Sequence, residues 1–148
     1  MIAVLQRVKS SKVEVDNQII GQIGYGLNIL LGVVDSDKKS DVEFLTKKIS
    51  AFRIFPDEKK AMNLSIQDVN GSALVISQFT LCADWRKGNR PGFSHSAKPD
   101  IANELYKYFI QQLKNYNIPV QSGSFGATMA VHILNDGPVT FVLNSKEK

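Results

Sequence analysis

The segment Ser77-Gln78-Phe79-Thr80-Leu81 sets hydroxyl and amide side chains where the apolar, β-branched run Ala73–Gln78 comes to its end. A run of that length and composition reads as a buried strand. Strand ends are where a rigid scaffold presents backbone N–H groups and short side chains to a ligand. A plainer reading stands beside it, in which Ser77 and Thr80 only satisfy neighbouring backbone groups. A second segment, Asn135-Asp136-Gly137-Pro138-Val139-Thr140, predicts a tight turn between strands Met129–Leu134 and Val139–Leu143. Proline is the residue whose preceding bond most readily adopts the cis form, which a type VI turn requires. The plain alternative is a rigid hairpin tip. A third segment, Trp85-Arg86-Lys87-Gly88-Asn89-Arg90, puts Arg86, Lys87 and Arg90 beside an indole. Cations next to an aromatic ring suit phosphate contacts combined with stacking on an unpaired base, or simply a solvated loop.

Other catalytic sets are missing. His95 and His132 share no metal-ligand spacing. Cys82 is the single cysteine, so neither an internal disulfide nor a Cys-x-x-Cys metal site is available. A lone cysteine beside a buried strand reads as a small packed hydrophobe before it reads as a nucleophile. There is no Gly-x-Ser-x-Gly elbow, no carboxylate pair placed for glycoside cleavage, and the glycines at 21, 24 and 26 do not form a dinucleotide fingerprint. No metal and no cofactor is expected.

The elements that must position these segments follow from periodicity. Lys12–Val15, the turn Asp16-Asn17 and Gln18–Ile23 predict a hairpin, after a strand Ile2–Val8 that stops at Lys9-Ser10-Ser11. Leu27–Val34, flanked by glycine, predicts a buried strand. Ser40 as N-cap with Glu43 three residues on predicts a first helix carrying Val42, Leu45, Ile49 and Phe52 inward. Arg53–Phe55 predicts a short strand. Pro99 opens a second helix whose apolar face is read as Ile101, Leu105, Tyr108, Phe109 and Leu113. The chain has 148 residues, 43% hydrophobic and 22% charged, with a formal net charge of +4. That suits one compact α+β domain over residues 1–148 with a mixed sheet and two main helices, residues 143–148 forming a frayed tail. The charge permits a polyanionic partner without demanding one. No uncharged apolar stretch is long enough to span a membrane, and no signal peptide is visible, so the expected compartment is the cytoplasm.

Taken together, Ala3-Val4-Leu5-Gln6-Arg7-Val8, Lys48-Ile49 with Arg53-Ile54-Phe55, Met62-Asn63-Leu64-Ser65, Ser77–Leu81 and Asn135–Thr140 resemble the D-aminoacyl-tRNA deacylase family along almost the whole chain. Gly92 stands where that family usually has serine, and Thr128 where it often has Asp or Asn. The resemblance implies the family's barrel-like mixed sheet. It implies hydrolysis of the ester joining a D-amino acid to the 3′ end of tRNA, and of glycine mischarged on tRNA-Ala. It implies a homodimer with active sites at the subunit interface, each receiving the partner's Gly-cisPro motif, here Gly137 and Pro138, as a wedge that rejects L-aminoacyl substrates. Ser77, Gln78, Phe79 and Thr80 become the reaction centre, with the Phe79 and Thr80 N–H groups as oxyanion donors. Ala102, Phe125 and Met129 line the pocket, Arg7 holds the Gly-Pro segment, and Trp85, Arg86, Lys87 and Arg90 become tRNA contacts. No membrane and no DNA partner is implied. A non-catalytic RNA-binding module and an editing domain for another mischarged tRNA remain as competing readings.

Overall fold

The computed structural model describes residues 1–147. Its spine is β1 (Ile2–Val15), whose largely alternating burial sends one set of side chains inward. One edge of β1 pairs antiparallel with β3 (Gly26–Gly32) through residues 2–8, then with β2 (Gln18–Ile23) through residues 11–15. Its other edge is taken along nearly the whole length by β6 (Ala130–Asn144). β4 (Ser72–Ser77) adds to β3 in parallel, and β5 (Val120–Ser122) adds to β4 in parallel. Parallel neighbours need crossovers; α1 (Lys39–Ser50) lies in the connection from β3 to β4, and α2 (Pro99–Asn115) in that from β4 to β5. A Cβ at Gly21 of β2 would lie 2.8 Å from the Ser122 carbonyl oxygen of β5, so the outer strands nearly meet and the sheet is almost barrel-shaped. The expected α+β class with a mixed sheet and two helices holds.

The main core lies between sheet and helices, where Leu5, Ile29, Val75 and Phe55 meet Leu45, Ile49, Phe109 and Leu113. A smaller cluster of Val8, Val13, Ile23, Leu74 and Ile76 packs separately. The hairpin turn is as expected, with positive φ at Asp16 and Asn17 matching the twist of the strands it joins.

Other expectations shift. β1 does not stop at Lys9-Ser10-Ser11, because it exchanges one partner strand for another there and Ser11 turns inward to Asn28. α1 is capped two residues earlier than Ser40: the Lys38 N–H donates to the Asp41 carboxylate at 2.9 Å. Arg53–Phe55 is not a strand but contributes one bridge, Phe55 to Leu64. The buried face of α2 is Ala102, Leu105, Tyr106, Phe109 and Leu113; Ile101 is exposed, and the Tyr108 hydroxyl donates to Glu43. The expected fraying of 143–148 does not hold over 143–147. Leu143 and Asn144 pair with Ala3 and Ile2, Ser145 is fully buried and accepts from the Met1 amino group, and Lys146 bridges Asp37 and Asp41. Lys148 lies outside the described residues.

Asn28 is an anomaly in this core. It is wholly buried, its Oδ1 accepts from Ser11, and its Nδ2 has no partner among the described residues. An unpaired buried donor costs about 1–3 kcal/mol. Asn28→Leu keeps the side-chain shape and is expected to raise the thermal midpoint by about 2–4 °C per kcal/mol recovered. Scanning calorimetry checks this, and a lowered midpoint would mean that Nδ2 is satisfied in solution.

Candidate active site

β4 ends at Ser77, and the chain then tightens into a single 3-10 turn, Phe79–Cys82. The turn packs onto β3 at Gly32, where a Cβ would lie 2.9 Å from Leu81 Cβ and 3.1 Å from the Gln78 carbonyl oxygen, so only glycine lets it seat this closely. The first N–H groups of a helical turn have no intrahelical acceptor. Those of Phe79 and Thr80 find none among the described residues, while Leu81 donates to Gln78.

Ser77, Gln78 and Phe79 line a cavity of about 560 Å³. Ala102 and Tyr106 of α2 form one wall, and Phe125, Met129 and Val131 another. Met129 is seated by Gly123, since a Cβ there would come within 2.6 Å of its sulfur. The structure thus gathers Ser77, Gln78, Phe79, Ala102, Phe125 and Met129 in one place. Thr80 is adjacent but outside the lining; its hydroxyl accepts from Gln78 Nε2, and no histidine, lysine or carboxylate contacts it among the described residues. The Phe79 ring is 59% exposed and leans on Phe93, centroids 4.9 Å apart.

Gly137, Pro138 and Arg7 are elsewhere. The expected hairpin tip is instead a bulge within β6: Thr140 pairs with Gln6 and Asn135 with Val8, so Asp136–Val139 loop out opposite Arg7 alone. A single long partner strand on both sides is what removes the turn. Gly137 and Pro138 are exposed, joined by a cis peptide bond, and absent from the cavity lining of their own chain. Arg7 is 8% exposed; its Nε donates to the Asp136 carbonyl oxygen at 3.3 Å and its Nη1 to that of Ile54 at 2.7 Å.

Trp85, Arg86, Lys87 and Arg90 sit on a loop closed at its base by paired Asp84–Gly92 backbone bonds, both 2.8 Å. Trp85 is 76% exposed. Arg86 is engaged within the loop: its guanidinium grips Asp84 with two bonds of 2.8 Å and holds that carboxyl well below the usual carboxylate range. Cys82 is buried, donates to the Val33 carbonyl oxygen, and burial pushes its thiol up, which suits packing and not nucleophilic attack. His132 faces Glu14 on the open face of the sheet.

A family model described as D-Tyr-tRNA(Tyr) deacylase matches residues 4–144. The chain belongs to the D-Tyr-tRNA(Tyr) deacylase family. It is 54% identical over 147 residues to the D-aminoacyl-tRNA deacylase of Thermosipho africanus, and 53% identical over 147 residues to that of Clostridioides difficile, covering 99% of each chain in both cases. Among solved structures, the protein named c-Myc DNA Unwinding Element Binding Protein superposes with a TM-score of 0.90 at 38% identity, covering 97% of this chain and 98% of that one. A probable eukaryotic D-amino acid tRNA deacylase shares the fold, with a TM-score of 0.82 at 16% identity, over 96% of this chain and 97% of its own. Membership of the deacylase family makes the protein a hydrolase.

Several residues of the site escape the sequence reading, and two of them bear most on its shape. Tyr106 lines the cavity and its buried hydroxyl donates to the Val75 carbonyl oxygen at 2.7 Å, tying α2 to the strand that ends at Ser77. Burial pushes that phenol up to about 12. Its signal was the spacing 102, 105, 106, 109, 113, which fits a helical stripe better than one through Tyr108. The other is Gly123, whose role is visible only through Met129.

Proposed function

We propose that the protein hydrolyses the ester of D-aminoacyl-tRNA, and of glycine mischarged on tRNA-Ala, by backbone stabilisation of the oxyanion. The observation that carries this reading is the pair of N–H groups at Phe79 and Thr80, unpartnered among the described residues, beside a largely apolar cavity that Phe79 lines. Acyl transfer to water develops negative charge on the carbonyl oxygen, and preorganised donors aimed at it contribute about 3–4 kcal/mol each. An aminoacyl ester is already activated and the ribose 2′-OH can position water, so a site without a side-chain base suffices. Ser77 and Gln78 flank the donors, and Ala102, Phe125 and Met129 shape the pocket.

Selection of handedness is assigned to Gly137 and Pro138 of a second copy. They project from β6 and take no part in their own chain's cavity, which supports a homodimer in which each wedge enters the other's pocket. Main-chain carbonyls there would receive the substrate amino group and obstruct an L side chain. Discrimination by exclusion suits a proofreader that accepts many side chains and refuses one chirality. The setting is the cytoplasm, in keeping with a tRNA substrate. Among the described residues, no helix is long and apolar enough to cross a membrane.

The deciding assay offers D-Tyr-tRNA and L-Tyr-tRNA to the purified protein. Release of tyrosine from the D form alone is expected; equal rates, or none on the D form, overturn the reading. The tRNA body is assigned to the Trp85 loop, with Lys87 and Arg90 as phosphate contacts and Arg86 secondary because Asp84 occupies it. Lys87→Ala with Arg90→Ala is expected to lower the salt slope of tRNA binding by about 2 while leaving the thermal midpoint in place. Filter binding across salt concentrations checks this, with duplex DNA expected not to compete.

A further inference from the structure

The bulge that carries Gly137 and Pro138 has a root: Val139 packs against the main core, and one side chain makes polar contacts to Asp136. Arg7 faces it from β1, between the Gln6–Thr140 and Val8–Asn135 pairs where the β1–β6 register shifts. Besides the Asp136 and Ile54 carbonyl oxygens, Arg7 Nε lies 3.0 Å from the Asp136 carboxylate. One guanidinium therefore ties the bulge, through both main chain and side chain of Asp136, to the segment after α1. A Cβ at Gly137 would lie 3.5 Å from Arg7 Nη2, so the fork continues beneath the wedge itself. Tyr25, which precedes β3, stacks edge-on against Phe55, centroids 5.4 Å apart, next to the Ile54 carbonyl that Arg7 holds. Its phenol is raised by burial and then by the Asp136 carboxylate it faces, while Arg7 acts in the opposite sense.

We propose that Asp136 and Tyr25 are positioning residues for the chiral wedge: Asp136 locks the Arg7 fork in register under Gly137, and Tyr25 closes the other side of that carboxylate against Phe55. The inference rests on the reading of Gly137 and Pro138 given above and adds what holds them. Ladder hydrogen bonds stop on either side of the bulge, so nothing regular fixes its orientation. A planar guanidinium gripping two oxygens of one residue and a third from another element supplies that direction. A wedge free to tilt would lose its clash with an L side chain before it lost all productive D substrate, so the two enantiomers respond unequally.

The test compares wild type, Asp136→Asn, Tyr25→Phe, Arg7→Lys and the double variant Arg7→Lys/Asp136→Asn on D- and L-Tyr-tRNA, with separate kcat and KM and thermal midpoints. Asp136→Asn keeps the volume and loses the charge. Tyr25→Phe keeps the ring on Phe55 and loses the hydroxyl, and serves if the first variant folds poorly. The expected result is a rise of about ten-fold in the L-to-D rate ratio for Asp136→Asn, a smaller rise for Tyr25→Phe, and a raised KM for the D form. The Arg7 and Asp136 effects should be far from additive, since each acts through the other. A fold defect lowers the active fraction and moves neither the ratio nor KM. A selective wild type whose variants keep its L-to-D ratio overturns this inference alone. A wild type inactive on the D form overturns it together with the functional reading.

Discussion

Gly137→Val is expected to abolish chiral deacylation, lowering the rate on D-Tyr-tRNA by roughly 100-fold or more while the protein stays folded. Gly137 has φ +131, a region L side chains rarely enter, and a Cβ there would meet Val139 Cγ2 at 2.7 Å and the Val139 nitrogen at 2.8 Å. The backbone must rotate to relieve that contact, which turns the carbonyls on either side of it. Misplacement of a positioning group by about 1 Å is enough for a loss of this size. The strain itself is about 1–3 kcal/mol, and the bulge is exposed, so the thermal midpoint falls by several degrees without unfolding the domain. Single-turnover deacylation with parallel calorimetry checks both halves. Wild-type turnover in Gly137→Val would remove the wedge from the mechanism.

The second large effect separates a backbone donor from a hydroxyl nucleophile at one residue. Thr80→Ala removes a hydroxyl that accepts from Gln78 Nε2 at the surface, a bond of about 0.5–1.5 kcal/mol, so activity stays within about ten-fold of wild type. Replacing the Phe79–Thr80 amide by an ester, through semisynthesis with the hydroxy-acid analogue of threonine, removes the N–H and keeps the side chain. Loss of one oxyanion donor lowers kcat by about 10²–10³. The expected order is therefore ester far below Thr80→Ala. The reverse order, with Thr80→Ala inactive and folded, would make the hydroxyl the nucleophile.

The strand end at Ser77–Leu81 is legible because its signal is local. Ala73–Gln78 is apolar enough to be a buried strand, and polar residues at its end have few other places to go. Ala102, Phe125 and Met129 came from resemblance, since small and apolar side chains carry no chemical mark. Asn-Asp-Gly-Pro is turn chemistry and predicts a turn where the fold has a bulge, because whether the flanking strands pair with each other or with a third is a long-range fact. The same holds for β1, whose polar Lys9-Ser10-Ser11 looks like an end until a second partner strand takes over from the first. The cap of α1 moved because Asp41, not Glu43, receives both the Lys38 N–H and the Lys146 ammonium, and Lys146 lies 105 residues away. Arg7 could be named but not placed. Its partners, Ile54 and Asp136, are 47 and 129 residues distant.

Because β1 is zipped to β6 from Ile2–Asn144 to Glu14–Ala130, it stays without one of its two neighbours until residues 130–144 have been made. High contact order slows folding, and an unpaired strand edge invites association between nascent chains. Until the closing strand leaves the ribosome, the Arg7 guanidinium has no Asp136 to grip. A ribosome stalled before residue 130 is made should therefore display a protease-sensitive chain, and emergence of residues 130–144 should convert it to the resistant form in one cooperative step.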